Sequence, residues 1–222
     1  MQPLLIVGAG GFGREVAEAV RAINEQTATW ELLGFLDDRF GTDGSMVDGT
    51  PVLGKTSAIA RFPQAQVVVS TGNPANYFSR RRLVSSLGLP STRYATLIHP
   101  TASIPSSTEI GHGSMLLATV VVTTRVRMGA HVALMPGVVL THDDVVGDYV
   151  TMGAGARLAG GVRIGEGAYV GSGVMVRENL TVGPWALLGM GAVVLANVPA
   201  AEVWAGVPAR VLRKLTLPED IA

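Results

Sequence analysis

The chain has 222 residues, 48% hydrophobic and 15% charged, and its 17 basic and 17 acidic side chains give a formal net charge of zero. That balance argues against a nucleic-acid surface or a polybasic membrane anchor. With no cysteine, it also excludes disulfides, thiolate metal sites and a cysteine nucleophile. The length suits one large domain or two modest ones. The opening "MQPLLIVGAGGFG" lacks a basic leader and reaches glycine too soon for a signal-peptide core. No run of about 18 apolar residues occurs. The expectation is a soluble cytoplasmic protein without a nucleic-acid or membrane partner.

Residues 1–95 read as a small parallel α/β domain. "LLIVGAG" (Leu4 to Gly10) is a buried-type strand running into glycines, and the following "REVAEAVRAIN" places Val16, Ala19, Val20 and Ile23 on one helical face. "WELLGFLDD" (Trp30 to Asp38) and "QVVVSTGN" (Gln66 to Asn73) are further strands, and "NYFSRRRLVSSLG" is a helix closed by Gly88. Within that helix Arg80 to Arg82 are expected on the exposed face. Between the first strand and first helix, "GAGGFG" (Gly8 to Gly13) satisfies G-x-G-x-x-G. Such a loop lets a diphosphate approach the backbone at a helix N-terminus, and alone it suggests a dinucleotide oxidoreductase with Asp37 or Asp38 on the ribose. A domain of three or four strands is half the size such a cofactor needs and suits one nucleotide diphosphate. Gly8, Gly10, Gly11, Phe12, Gly13, Asp37, Asp38 and Asn73 are therefore the candidate nucleotide-sugar contacts. Lys55 either pairs with phosphate or is solvated.

From Ile98 the pattern changes. Every sixth residue from Ile98 to Val194 is Leu, Ile, Val or Met, seventeen hexads without a slip. The next position is Gly in eight of the seventeen, and the fifth is Val, Ala, Thr, Ser or Leu in sixteen. A period of six fits neither a helix nor a simple alternating strand, and it matches a parallel β-helix. The exception at the fifth position is Asp144, in "LTHDDV", beside His142 and Asp143.

The hexads resemble those of left-handed β-helix acyltransferases, which wind three hexads into each triangular coil. The ending "WAGVPARVLRK" (Trp204 to Lys214) resembles the tail of that group. "IVGAGGFGREV", "GFLDD", "GTPVLGK", "STGNP" and "LIHPTA" resemble a narrower family, the bacterial sugar O-acyltransferases of the sialic-acid O-acetyltransferase type, with the PglD/PerB-like nucleotide-amino-sugar N-acetyltransferases. The resemblance covers essentially the whole chain. It implies a Rossmann-like α/β nucleotide-sugar-binding half-domain (1–95), a left-handed β-helix acyltransferase domain (96–200) and a C-terminal tail (201–222). It also implies a homotrimer with active sites between subunits, and Met115, Leu117, Met135 and Leu187 are apolar residues that a trimer contact could bury.

The family's catalytic "H-[ED]" pair and oxyanion-binding glycine map onto His142, Asp143 and Gly160, the last being one coil beyond His142. A carboxylate beside a histidine fixes its tautomer and favours the imidazolium, so His142 is read as general base. The amide of Gly160 is read as acetyl-coenzyme A's oxyanion donor. Asp144 is read as bonding backbone at a distorted corner or helping to orient His142. Two positions depart from the family pattern. Thr151 stands where a second histidine contacts acetyl-coenzyme A, and Phe12 replaces a histidine of the glycine loop near the acceptor amine.

The expected reaction is direct acetyl transfer from acetyl-coenzyme A to a nucleotide-linked amino sugar, with no metal. A sugar O-acetyltransferase is the alternative, and a γ-class carbonic anhydrase-like zinc protein or a non-catalytic nucleotide-sugar module the remoter ones. His99 is read as structural or nucleotide-side, His112 and His131 as neighbours on adjacent coils, and Trp185 and Trp204 as packing or trimer contacts.

Overall fold

The computed structural model describes residues 1–39 and 44–221. Strand β1 (Gln2–Val7) is the centre of a three-stranded parallel sheet, flanked by β2 (Trp30–Leu36) and by the strand Gln66–Val69. Leu4, Leu5, Ile6 and Val7 are all fully buried, as a strand covered on both faces requires. Helix α1 (Gly11–Gln26) lays Val16, Ala17, Ala19 and Val20 on one face of this sheet. The other face is covered in part by Leu83, Val84 and Leu87 of helix α2 (Ser79–Leu87), which ends at Gly88 in the left-handed conformation. The three expected strands are all present, and a small antiparallel hairpin, Met46–Val47 with Thr50–Pro51, lies beyond them. Helix α2 begins at Ser79 rather than Asn76, and the preceding Tyr77 and Phe78 pack on Trp185.

The remainder is a parallel β-helix of triangular section. Two-residue strands pair at a register of 18, as Ala133 with Met115 and Thr151, or Arg127 with Glu109 and Val145. Each coil therefore takes three hexads. One sheet begins at Glu109–Ile110 and a second at Val121–Val122, each of five strands. The third runs from Leu97–Ile98 to the C-terminal hairpin, Glu202–Gly206 with Ala209–Lys214. The sixth-residue set and the fifth-position residues fill the interior: Leu134, Leu140, Met152, Val138, Val150 and Val162 are buried in one continuous core. The corners turn through left-handed residues such as Gly137, Gly155 and Gly173.

The halves are not independent bodies joined by a linker. Met115 and Ala133 point outward from the third sheet into the α/β core, where they join Ile6, Val16 and Val68. Met115 is fully buried within one chain, so it does not need a trimer contact to cover it; Leu117 is also buried, whereas Met135 and Leu187 are half-buried. The expectation for Arg80 to Arg82 is likewise corrected for its first member. Arg82 is exposed and pairs with Asp220 at 2.7 Å, but Arg80 is fully buried between the halves.

His112 and His131 are neighbours, as their spacing suggested, with ring centroids 5.1 Å apart. His131 lies flat on Tyr149 and edge-on to Tyr94, is almost wholly buried, and its Nδ1 has no hydrogen-bond partner among the described residues. Burial first, then the charges of His112 and Arg80, push its pKa down from 6.5 to about 4. The unfolded chain thus takes up this proton first. Its contribution to stability is whole above pH 6.5 and is lost as pH falls toward 4. His131→Phe should therefore flatten the loss of stability across that window relative to wild type in denaturant melts, groups common to both proteins cancelling. Parallel profiles would show that His131 is not buried neutral.

Candidate active site

The hexad from Leu140 to Val145 turns the corner between the strands Val139–Leu140 and Val145–Val146. Its inward fifth position is Asp144, wholly buried, whose carboxylate accepts the N–H groups of Thr141 at 2.8 Å and of Val162 at 2.9 Å. Asp144 thus does for the corner what backbone bonds do elsewhere, and it ties one coil to the next. Burial raises its pKa to about 6 even though both N–H donors favour the ionised form.

With Asp144 turned in, Asp143 is turned out, its backbone left-handed at φ 65°. Asp143 Oδ2 meets Nδ1 of His142 at 2.9 Å, and Oδ1 meets Nε of Arg125 at 3.0 Å. The bond from His142, helped by the charge of Arg125, holds Asp143 below the usual carboxylate range. A carboxylate can only accept, so Nδ1 carries the hydrogen, and in the neutral ring Nε2 is the nitrogen with the lone pair. That edge faces Gly160: a methyl group there would overlap Cε1 and Nε2 of the ring. On either side of Gly160, Ala159 N–H donates to Val176 and Gly161 N–H to the carbonyl of His142. Gly160 N–H makes no backbone hydrogen bond among the described residues. A histidine, the carboxylate bonded to it and an amide without a backbone partner among the described residues are therefore grouped across one corner.

The second part of the site is a crevice of about 400 Å³ at the carboxyl ends of the parallel strands. The chain leaves β1 for β2 on one side and returns to Gln66–Val69 on the other, and such a reversal point is where open α/β sheets bind ligands. Gly8, Gly10, Gly11, Phe12, Asp37, Asp38 and Asn73 line it, with Thr71 and Gly72. Gly13 does not line it: it is buried where a side chain would strike the Gly8 carbonyl, so it serves the close packing of α1 on β1. Gly10 caps the helix N-terminus, and nothing stands within 4 Å of where a Gly11 side chain would begin.

The acidic residues are engaged within the chain. Asp37 accepts the N–H of Ala9 at 2.8 Å and a two-pronged contact from Arg39. Burial would raise its pKa, but Arg39 and the backbone donors outweigh this and lower it. Asp38 accepts the N–H and hydroxyl of Thr56, and Asn73 the N–H groups of Ala75 and Asn76. Arg39, paired with Asp37 and 70% exposed, lines the same crevice.

One chain does not bring the two parts together. The crevice belongs to the half packed on the third sheet, whereas His142 turns between the other two. Thr151 lies on the third sheet, 6% exposed, its hydroxyl accepting from Arg80 at 2.6 Å. His99 bonds Thr101 locally, Trp185 packs on Tyr77 and Phe78, and Trp204 donates to Glu202. No group of three or more His, Cys, Asp or Glu among the described residues is placed to hold a metal. Sequence reasoning missed Arg125, although it stands 18 residues before Asp143 and the coil length alone would have found it.

Gly160→Ala should force the His142 ring aside, since the side chain that must move is 64% exposed and can do so without unfolding the coil. The expected result is a thermal midpoint within about 3 °C of wild type, near the effect of a surface change, with acetyl transfer reduced about 100-fold or more. Near-wild-type turnover would contradict the grouping.

Comparison with known proteins accords with this geometry. The model described as the PglD N-terminal domain matches residues 3–87. A curated UDP-N-acetylbacillosamine N-acetyltransferase from Bacillus subtilis is 32% identical over 120 residues, 53% of this chain, and the match spans about half, 52%, of that relative's length. Among solved structures, the acetyltransferase domain of PglB from Neisseria gonorrhoeae, in complex with acetyl coenzyme A, is 34% identical. It aligns over 95% of this chain and 99% of that one, with a TM-score of 0.85. A histidine-to-asparagine variant of perosamine N-acetyltransferase from Caulobacter crescentus, with CoA and GDP-perosamine, is 26% identical over 96% of this chain and 98% of its own, at a TM-score of 0.84. Fold, hexads and glycine loop, with this likeness over nearly the whole length, place the chain in the PglD/PerB-like family of left-handed β-helix sugar acetyltransferases.

Proposed function

We propose that the protein is an acetyl-coenzyme A-dependent N-acetyltransferase for a nucleotide-linked amino sugar. The observation that carries this reading is the His142–Asp143 hydrogen bond, which leaves Nε2 free beside the unused amide of Gly160. The crevice of the α/β half supports a nucleotide-bearing acceptor, and relatives solved with acetyl coenzyme A or GDP-perosamine support both substrates.

In the proposed step the amine nitrogen of the sugar attacks the thioester carbonyl carbon while Nε2 of His142 takes its proton. Asp143 steadies the imidazolium, and the amide of Gly160 donates to the tetrahedral oxygen. The C–S bond then breaks, and the thiolate recovers the proton as coenzyme A leaves. No covalent enzyme intermediate is needed, in keeping with a chain without cysteine.

Because crevice and corner lie on different faces of one chain, a homotrimer with each site shared between neighbours is part of the proposal. Val121 and Met175, 37% and 47% exposed on the sheet that leads into His142, offer the apolar contact. The cytoplasm, where acetyl-coenzyme A and nucleotide sugars meet, is the proposed site of action.

One observation favours a second reading. Phe12 lines the crevice with a ring that cannot hydrogen-bond an amine, which leaves sugar O-acetylation as the alternative. Thiol release from acetyl-coenzyme A with UDP-, GDP- and dTDP-linked amino sugars separates the two. Turnover on one of them, falling about 100- to 10,000-fold in His142→Asn, is expected. Turnover only on hydroxyl acceptors would establish the alternative, and turnover unchanged in His142→Asn would overturn the assignment of the base.

A further inference from the structure

Arg80 is the most deeply buried charge in the described chain. Its guanidinium is wholly excluded from solvent, yet no carboxylate meets it among the described residues. Nη1 donates to the carbonyl of Thr71 at 3.1 Å, and Nη2 to the carbonyls of Tyr149 at 2.9 Å and Val150 at 3.2 Å and to the hydroxyl of Thr151 at 2.6 Å. These oxygens solvate the cation without neutralising it, and Nε has no acceptor among the described residues. Burial lowers its pKa only to about 10, so it is charged at neutral pH.

A buried cation is costly unless something offsets it. The side on which an offset could arrive is the crevice. Thr71 and Gly72 form part of its lining, and a methyl on Gly72 would stand 3.7 Å from Nη1, so Arg80 lies one peptide layer behind the crevice wall. The Thr71 hydroxyl in that wall is buried and also without a partner among the described residues. From the opposite wall the N-terminus of α1 faces the same space through Gly10 and Gly11, and it too favours an anion.

We propose that Arg80 is a positioning and charge-balancing residue: it pins the crevice wall at Thr71–Gly72 to the prism edge Tyr149–Thr151, and its unmatched charge is the counterpart of the diphosphate of the bound nucleotide. The inference rests on the proposed nucleotide-binding role of the crevice. It goes further by giving the phosphates, rather than the base or sugar, the dependence on Arg80.

The test compares binding of a nucleoside, its monophosphate and its diphosphate, with uracil, guanine and thymine probes, to wild type, Arg80→Lys and Arg80→Gln, together with thermal melts. In wild type, affinity should rise from nucleoside to diphosphate. In folded Arg80→Gln the diphosphate should lose about ten-fold or more while the nucleoside changes little, as expected for a unit charge behind a poorly screened wall. Arg80→Lys, which keeps the charge and loses the planar fork, should recover most of that affinity. Equal losses for nucleoside and diphosphate, or none for either, would overturn the inference. Should Arg80→Gln not fold, stabilisation by inorganic pyrophosphate decides: retained in Arg80→Lys it supports the charge, and lost there it overturns it. If wild type binds none of the nucleotides, the reading of the crevice itself fails instead.

Discussion

Everything at the His142 corner depends on one repeat distance. Because each coil takes 18 residues, positions 18 apart in sequence stand in register, and backbone bonds hold them there. That spacing sets Gly160 against the His142 ring, Arg125 beside Asp143, and the N–H of Val162 on Asp144. None of these contacts comes from a turn or helix that could be rebuilt locally. Each is a consequence of stacking: a one-residue slip between Asp144 and Gly160 would separate Gly160 from His142 and Val162 from Asp144, and one between Arg125 and His142 would separate Arg125 from Asp143.

The two most buried charges of the chain, Asp144 and Arg80, are handled in contrasting ways. Asp144 sits at a position that every other hexad gives to a small or apolar side chain, and it satisfies two N–H groups of its own and the next coil. Arg80 bridges the halves through carbonyl and hydroxyl oxygens and keeps its net charge. A local backbone irregularity explains the first completely. The second has no such local use, which directs attention to the crevice beside it.

The prism was fully legible in the sequence, because a six-residue period sustained over seventeen hexads has no other common structural meaning. The α/β half was legible in its strands, whose apolar runs are distinctive. The function of Gly13 in packing, and not in lining the crevice, follows from a close approach that a motif pattern does not encode. Arg80 was misread for a physical reason. A row of arginines on a helix normally faces water, and only the docking of α2 against the third sheet, through Tyr77 and Trp185, turns the first of them inward. The acidic pair after β2 lies in the crevice wall, and its engagement with Ala9, Arg39 and Thr56 depends on loop contacts that the sequence pattern does not encode.

The central claim is that His142 and Gly160 act as one unit because the coil register joins them. A double-mutant cycle on kcat/KM for acetyl transfer, with His142→Asn, Gly160→Ala and the combined variant, tests it most directly. The account predicts that the double variant is scarcely worse than His142→Asn alone, since displacing an absent base costs nothing more. Losses that multiply in the double variant would contradict it, and would mean that the two residues act separately.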